Sequence, residues 1–344
     1  MSDRLSLFSD DPDLEPEKPA GRPRTKRSDR RKKRKPLVIA LVSILVLLLG
    51  GGLLVGWYFQ RIESALSGIA REDFMPGSGG SGGGSGTSTA TPLPTPLGTN
   101  YVLMGSDSRG PDQGRSDTLM VAHVTAAKDK VYLISFPRDM WVDIPGRGKG
   151  KINWAYAFGG PELTVRTLNQ LTKVPMDHAA VVDFEGFIRL TDAVGGVEVF
   201  NKRTFRAGQY TFPAGMVELR GERALAYVRE RYNLPNGDLD RAENQRDVVR
   251  AIMDKVARPQ VLANPIAFDG ILNQLSGSIR VDQGLTNERI KETATSMRLQ
   301  GGRDIVSFQA PMTGFGWAGD QAIAVVDEEQ MAALGMAIRE DKLD

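Results

Sequence analysis

Residues 100–136 read NYVLMGSDSRGPDQGRSDTLMVAHVTAAKDKVYLISF, and this stretch decides the fold. It holds three short apolar runs, NYVLMG, TLMVAHVT and KVYLISF, each bounded by turn residues, and so predicts three strands. Downstream the period changes. PELTVRTLNQLTK (161–173) has helical spacing, which predicts a helix with a proline at its start. HAAVVDF (178–184) and GGVEVF (195–200) read as strands separated by the helix-like EGFIRLTDAV (185–194). GERALAYV (221–228) and RAENQRDVVRAIMDKVA (241–257) read as helices, the second with Val248, Val249 and Ile252 as its apolar stripe. NERIKETATSMRLQ and DEEQMAALGMAIRED supply two more helices around a strand in DIVSFQAP. Alternation of this kind predicts a three-layer α/β domain.

That domain occupies only part of the chain. RPRTKRSDRRKKRKP (22–36) is followed by LVIALVSILVLLLGGGLLVGWYF (37–59), 23 uncharged and mostly apolar residues, long enough to span a bilayer. The run exceeds a signal-peptide core, so an uncleaved anchor is expected. Positive charge before the span holds the N-terminus in the cytoplasm and places the residues beyond the span outside the cell membrane, as a single-pass protein. GSGGSGGGSGTSTATPLPTPLG (77–98) has linker composition. The expected division is a cytoplasmic basic tail at 1–36, a transmembrane helix at 37–59, a flexible extracytoplasmic linker at 60–98 and a catalytic domain at 99–344.

Composition narrows the chemistry. The tail 1–36 holds twelve Lys/Arg and seven Asp/Glu, a net of +5, so of the chain's +2 the remainder carries +2 − 5 = −3. Basicity is thus a tail property, explained by topology and anionic lipid, and no nucleic acid is expected as a partner. Zero cysteine excludes disulfides, thiolate nucleophiles and cysteine metal sites. The two histidines, His123 and His178, sit in apolar contexts and read as structural. No Walker loop is present, and neither GxGxxG match (GSGGSG, 77–82; GFGWAG, 314–319) opens a predicted helix.

What remains is a concentration of arginines and acids. RERYNLPNGDLDRAENQ (229–245) holds three arginines, four carboxylates and no lysine. Arg241 and Gln245, four apart on a helix, share one face. A solvated salt-bridge lattice is one reading of such a run. An anion site is the other, since arginine's planar fork suits phosphate oxygens. GSDSRG and GRSDT place Asp107 and Asp117 at the ends of adjoining strands, each beside an arginine, Arg109 or Arg115. Such a pair suits Mg²⁺, which takes one or two carboxylates plus phosphate oxygens. It could equally be a general acid/base pair or two loop caps.

GSDSR, GRSDTLM, SFPRDMWVDIPGRGKGKINWAYAFGGP, DAVGGVEV and ALAYVRERY…GDLDRAENQ, in this order over residues 99–344, resemble the LytR–CpsA–Psr family of cell-wall glycopolymer ligases. The resemblance implies a three-layer α/β/α sandwich with a central mixed sheet and an apolar groove for a polyprenyl tail. It implies transfer of a glycopolymer from a polyprenyl-pyrophosphate carrier to peptidoglycan as a phosphodiester, in a Gram-positive wall. The usual acceptor would be the 6-hydroxyl of N-acetylmuramic acid. Position by position, it implies Asp107 and Asp117 as ligands of Mg²⁺ (or Mn²⁺). Arg138, Asp139, Arg229, Arg231, Asp238 and Arg241 would be catalytic, with Arg115, Lys151, Asn153 and Gln245 binding the pyrophosphate. Phe136 and Arg246 depart from the family's usual residues. Phosphoryl transfer needs charge neutralisation and alignment more than a protein nucleophile, which agrees with a site lacking cysteine and catalytic histidine. Two alternatives stand beside this: a polyprenyl-pyrophosphate phosphatase, and a non-catalytic lipid-binding or regulatory protein of the transcriptional-attenuator type.

Overall fold

In chain order, the computed structural model describes residues 60, 63–64, 66–76, 93, 95–107, 114, 116–258, 270–271, 273–274 and 279–343. Strands β1 (Ala70–Glu72), β2 (Thr99–Ser106), β3 (Ser116–Val124), β4 (Val131–Ser135), β5 (Trp141–Ile144) and β6 (Gly148–Lys151) lead into helix α1 (Ile152–Thr172). Next come β7 (His178–Asp183), α2 (Phe184–Ala193), β8 (Val197–Asn201), β9 (Phe205–Ala207), β10 (Tyr210–Phe212) and β11 (Gly215–Leu219). Helices α3 (Gly221–Arg229) and α4 (Asp238–Val256) follow. The described chain ends with β12 (Ile279–Asp282), α5 (Asn287–Ser296), β13 (Ile305–Gln309), β14 (Met312–Ala318), β15 (Gln321–Val326) and α6 (Glu328–Glu340).

The three runs of the opening stretch are β2, β3 and β4, and they form the centre of a seven-stranded sheet of order β1-β12-β7-β2-β3-β4-β13. Pairing is mixed: β2 runs antiparallel to β3 and parallel to β7, and β4 runs parallel to β13. Alternation along the strands divides the core between two faces. Val102, Met104, Val121 and Ile134 turn to the face covered by Val165 and Leu168 of α1 and Leu334 and Ile338 of α6. Ala122, Val124, Val131 and Leu133 turn to the other, where Val249 and Met253 of α4 lie. The expected α/β fold with a central mixed sheet is therefore present, with helices on both faces. Both histidines serve packing. His123 bridges Asn100 and Asp341 at 2.8 and 2.9 Å, and His178 bonds Asp282 while stacking on Tyr101.

Three expectations change. The fold begins before residue 99: β1 pairs in parallel with β12, and Leu66, Ile69 and Phe74 are buried, because three apolar side chains outweigh the polar residues between them. Helical turns start at Ile152, nine residues before Pro161. The two halves of α1 meet at Gly159–Gly160, where Gly160 takes φ 62, a conformation that glycine adopts without Cβ strain. Val248 and Ile252 do not share one stripe with Val249. They pack into a second core with Phe205, Phe212 and Tyr227, so α4 buries two sides. The 37–59 segment lies outside the described residues; among those described, no helix is long and apolar enough to cross a membrane.

Candidate active site

The site forms where β3, β4 and α4 converge. Pairing of β2 with β3 passes from Gly105↔Thr118 to Ser106↔Ser116, which leaves Asp117 as the extra residue of a bulge. Bulges re-aim side chains. Here the carboxylate of Asp117 accepts from Arg138 Nη1 at 2.7 Å. Arg138 follows β4 through Pro137 and is steadied by its own carbonyl, which accepts from the backbone N–H of Asn153 at 3.2 Å. Its Nε donates to Asp238 Oδ2 at 2.7 Å, so one guanidinium joins β3 to α4.

Asp238 opens α4, where a carboxylate suits the positive end of the helix. Gly237, at φ 54, lets the chain turn into that helix. Arg241 Nη2 and Arg231 Nη1 approach Asp238 at 3.3 and 3.7 Å. Lys151 Nζ pairs with Asp139 at 2.8 Å, and Asp139 lies 3.7 Å from Arg138 Nε. The cluster thus sets four cations, Arg138, Lys151, Arg231 and Arg241, against three carboxylates, Asp117, Asp139 and Asp238: +4 − 3 = +1.

Burial acts unequally on the arginines. Burial alone would pull the Arg138 pKa down, but its hydrogen bond to Asp117 and the nearby charges of Asp117, Asp238 and Asp139 hold it above the ordinary value. Arg241, 6% exposed, is pulled below the ordinary value by burial, helped by the positive charge of Arg138. Its Nε is buried without a hydrogen-bond partner, as is Oδ1 of Asn153. Gln245, one turn after Arg241, donates to Val228 O at 3.1 Å and ties α4 to the end of α3.

Two spaces are lined by residues of this region. The polar one is tight, about 30 Å³, and is lined by Asp117, Arg138, Asp139, Asp238, Arg241 and Gln245. That volume is on the scale of one water, because the arginines are closed onto their carboxylates. The second is a groove of about 1070 Å³, lined by Asp107, Phe184, Ile188, Leu225, Ala226 and Arg229 among others. Arg229 lies over the Phe184 ring with Cζ 4.4 Å from its centroid. Although only Glu230 separates Arg229 from Arg231, the two have different surroundings, the groove for Arg229 and Asp238 for Arg231: Arg229 ends α3 and Glu230 is extended, at φ −66 and ψ 135.

The structure therefore brings together Asp117, Arg138, Asp139, Lys151, Arg231, Asp238, Arg241 and Gln245, and places Asp107 and Arg229 on the groove. Asn153 acts through its backbone, and Arg115 lies outside the described residues. Asp240 turns away, toward Arg203 and the Asn236 amides. Among the described residues no group of three or more His, Asp or Glu could hold a metal. A cation at Asp107 and Asp117 would thus need further oxygens from water or substrate. Carboxylates are donors that Mg²⁺ accepts, and a pyrophosphate brings more negative charge than the cluster's +1 offsets. Sequence reasoning missed Phe184 under Arg229 and Phe315, which reaches the polar space from the β14–β15 hairpin. Of the two departures, Phe136 is buried against the polar space and Arg246 donates to Ser135 Oγ at 2.6 Å.

Residues 95–339 match the LytR_cpsA_psr family. The polyisoprenyl-teichoic acid–peptidoglycan teichoic acid transferase TagU of Enterococcus faecalis is 37% identical over 236 residues, covering 68% of this chain and 75% of that protein. The protein of the same name from Bacillus mycoides is 36% identical over 226 residues, covering 65% and 72%. Among solved structures, B. subtilis TagV superposes with TM-score 0.63 at 25% identity over 71% of this chain and 97% of that one. A structure titled a transcriptional regulator from Enterococcus faecalis gives TM-score 0.58 at 30% identity, covering 71% and 87%.

Proposed function

The chain belongs to the LytR–CpsA–Psr family, and from that premise we propose that it is a phosphotransferase attaching a glycopolymer from a polyprenyl-pyrophosphate carrier to peptidoglycan. One observation carries the reading: an arginine cluster of net +1, with an unpaired donor on buried Arg241, includes Arg231, next in the chain after Arg229 and Glu230, which line a groove large enough for a hydrocarbon chain. Relatives named for teichoic acid transfer to peptidoglycan support the substrate class.

In this reading the polyprenyl tail lies in the groove over Phe184, Ile188 and Leu225, and its pyrophosphate meets Arg229 at the polar end. Arg138, Arg231 and Arg241 exchange carboxylate contacts for phosphate oxygens. An acceptor hydroxyl attacks the phosphorus bearing the glycopolymer. Its O–P bond forms as the bond to the bridging oxygen breaks, and polyprenyl monophosphate leaves with that electron pair. The hydroxyl proton passes to solvent or to a nearby carboxylate. Asp238, held by three arginines, keeps them in place. Mg²⁺ held by Asp107 and Asp117 would offset charge on the pyrophosphate. The N-terminal 37–59 segment would anchor the enzyme in the cell membrane with the domain outside.

The test uses the full chain with lipid-linked glycopolymer and peptidoglycan. Polymer covalently joined to glycan, with polyprenyl monophosphate released, is the expected result. Released polymer phosphate without attachment would favour the phosphatase reading instead.

A further inference from the structure

The β14–β15 hairpin presents two aromatic rings that the fold does not use. Phe315 and Trp317 are two apart on one strand and so share a face; they are 68% and 75% exposed. Their cross-strand partners are Ala324 and Ala322, which are too small to cover an indole or a phenyl ring. On this strand, glycines 314 and 316 occupy the opposite face, and a Cβ at Gly316 would come within 3.1 Å of Val325 Cγ2. This strand thus sets glycines on one side and holds its rings out on the other. Large aromatics left in water in this way mark a binding surface.

Position says what that surface faces. Ala324 bridges to Met140, and its N–H donates to Asp139 O at 2.9 Å, so the hairpin is fixed to the Arg138–Asp139 turn. Phe315 lines the same polar space as Asp117, Arg138, Asp238 and Arg241. The groove lies toward β7, α2 and α3, whereas the hairpin follows β13, beyond β4 in the strand order. Phe315 therefore borders the polar cluster, while none of the residues lining the groove belongs to the hairpin. In phosphoryl transfer the attacking and leaving oxygens lie roughly in line across the phosphorus. With the leaving polyprenyl phosphate in the groove, the attacking hydroxyl comes from the hairpin side.

We propose that Phe315 and Trp317 form the acceptor platform, on which sugar rings of the peptidoglycan glycan strand stack with a hydroxyl directed into the polar cluster. Aromatic faces suit sugar rings, whose axial C–H bonds make one side apolar. The inference rests on the transferase reading and adds which surface takes the acceptor.

The experiment measures polymer transfer by the full chain to soluble, uncross-linked peptidoglycan glycan strands of varied concentration. Phe315→Ala/Trp317→Ala should raise the acceptor KM about tenfold, as expected for losing two ring contacts, with a much smaller fall in kcat. Trp317→Phe, which keeps a ring, should stay near wild type. An unchanged acceptor KM in the double variant would overturn the platform while leaving the transferase reading intact. If the wild type itself moves no polymer to glycan, the transferase reading falls first and the platform with it.

Discussion

Arg241 and Arg229 belong to one charged run in the sequence, but the structure gives them different surroundings and so different mutational signatures. Arg229 ends a helix and lies on an aromatic ring at the groove. Arg229→Ala should cut transfer by about two orders of magnitude through lost transition-state charge stabilisation, with little change in Tm. Arg229→Lys should rescue poorly, since a point charge cannot reproduce the fork. Arg241 is buried. Arg241→Ala should abolish transfer and also lower stability by about 1–3 kcal/mol, which a thermal melt would detect. Equal melting behaviour for the two variants would contradict this division. The charged run was legible in the sequence as an anion site or a salt-bridge lattice, and in the described structure most of its charges are ion-paired. A residue count cannot decide which arginine closes on which carboxylate; the extended Glu230 and the Asp117 bulge do that.

At the scale of elements, the strands with continuous apolar runs were plain in the sequence, and those defined by partners were not. The three-residue ARE of β1 has no strand signature; its parallel pairing with β12 makes it one. A full chain lacking residues 60–76 should therefore melt lower than one that keeps them, with Leu66 and Phe74 lost from the core. Unchanged Tm would restore residue 99 as the start of the fold. The MTGFGWA hairpin strand was equally illegible, because its alternation is glycine against aromatic. Strand β12 is in turn held by Asp282. Burial alone would raise the Asp282 pKa, but the His178 ring, the Ala179 N–H and the Gly284 N–H outweigh it and leave the pKa below the ordinary 3.8. A carboxyl depressed in the folded state stabilises fully above its unfolded pKa and loses that contribution as pH falls through the folded value. Asp282→Asn should lower Tm at neutral pH and narrow the difference from wild type below about pH 3.8. A gap that stays constant with pH would assign the loss to packing instead.

Across the whole molecule, a groove lined by both apolar and acidic side chains and a charged centre share one chain with a proposed membrane anchor. Hydrocarbon burial at roughly 25 cal/mol per Å² should make long-chain polyprenyl phosphates bind far more tightly than soluble headgroup analogues. Equal affinities by calorimetry would leave the groove without its occupant. Reporter fusions should place the N-terminus inside and the C-terminus outside; mature protein beginning after residue 60 would contradict an uncleaved anchor. The central claim is that Arg138 and its partners form a pyrophosphate cradle rather than a structural lattice. Transfer rate and Tm measured together on Arg138→Lys test it most directly. The cradle predicts folded protein with Tm near wild type and transfer reduced at least about a hundredfold, because the bidentate fork is gone. Near-normal transfer with a lowered Tm would contradict it.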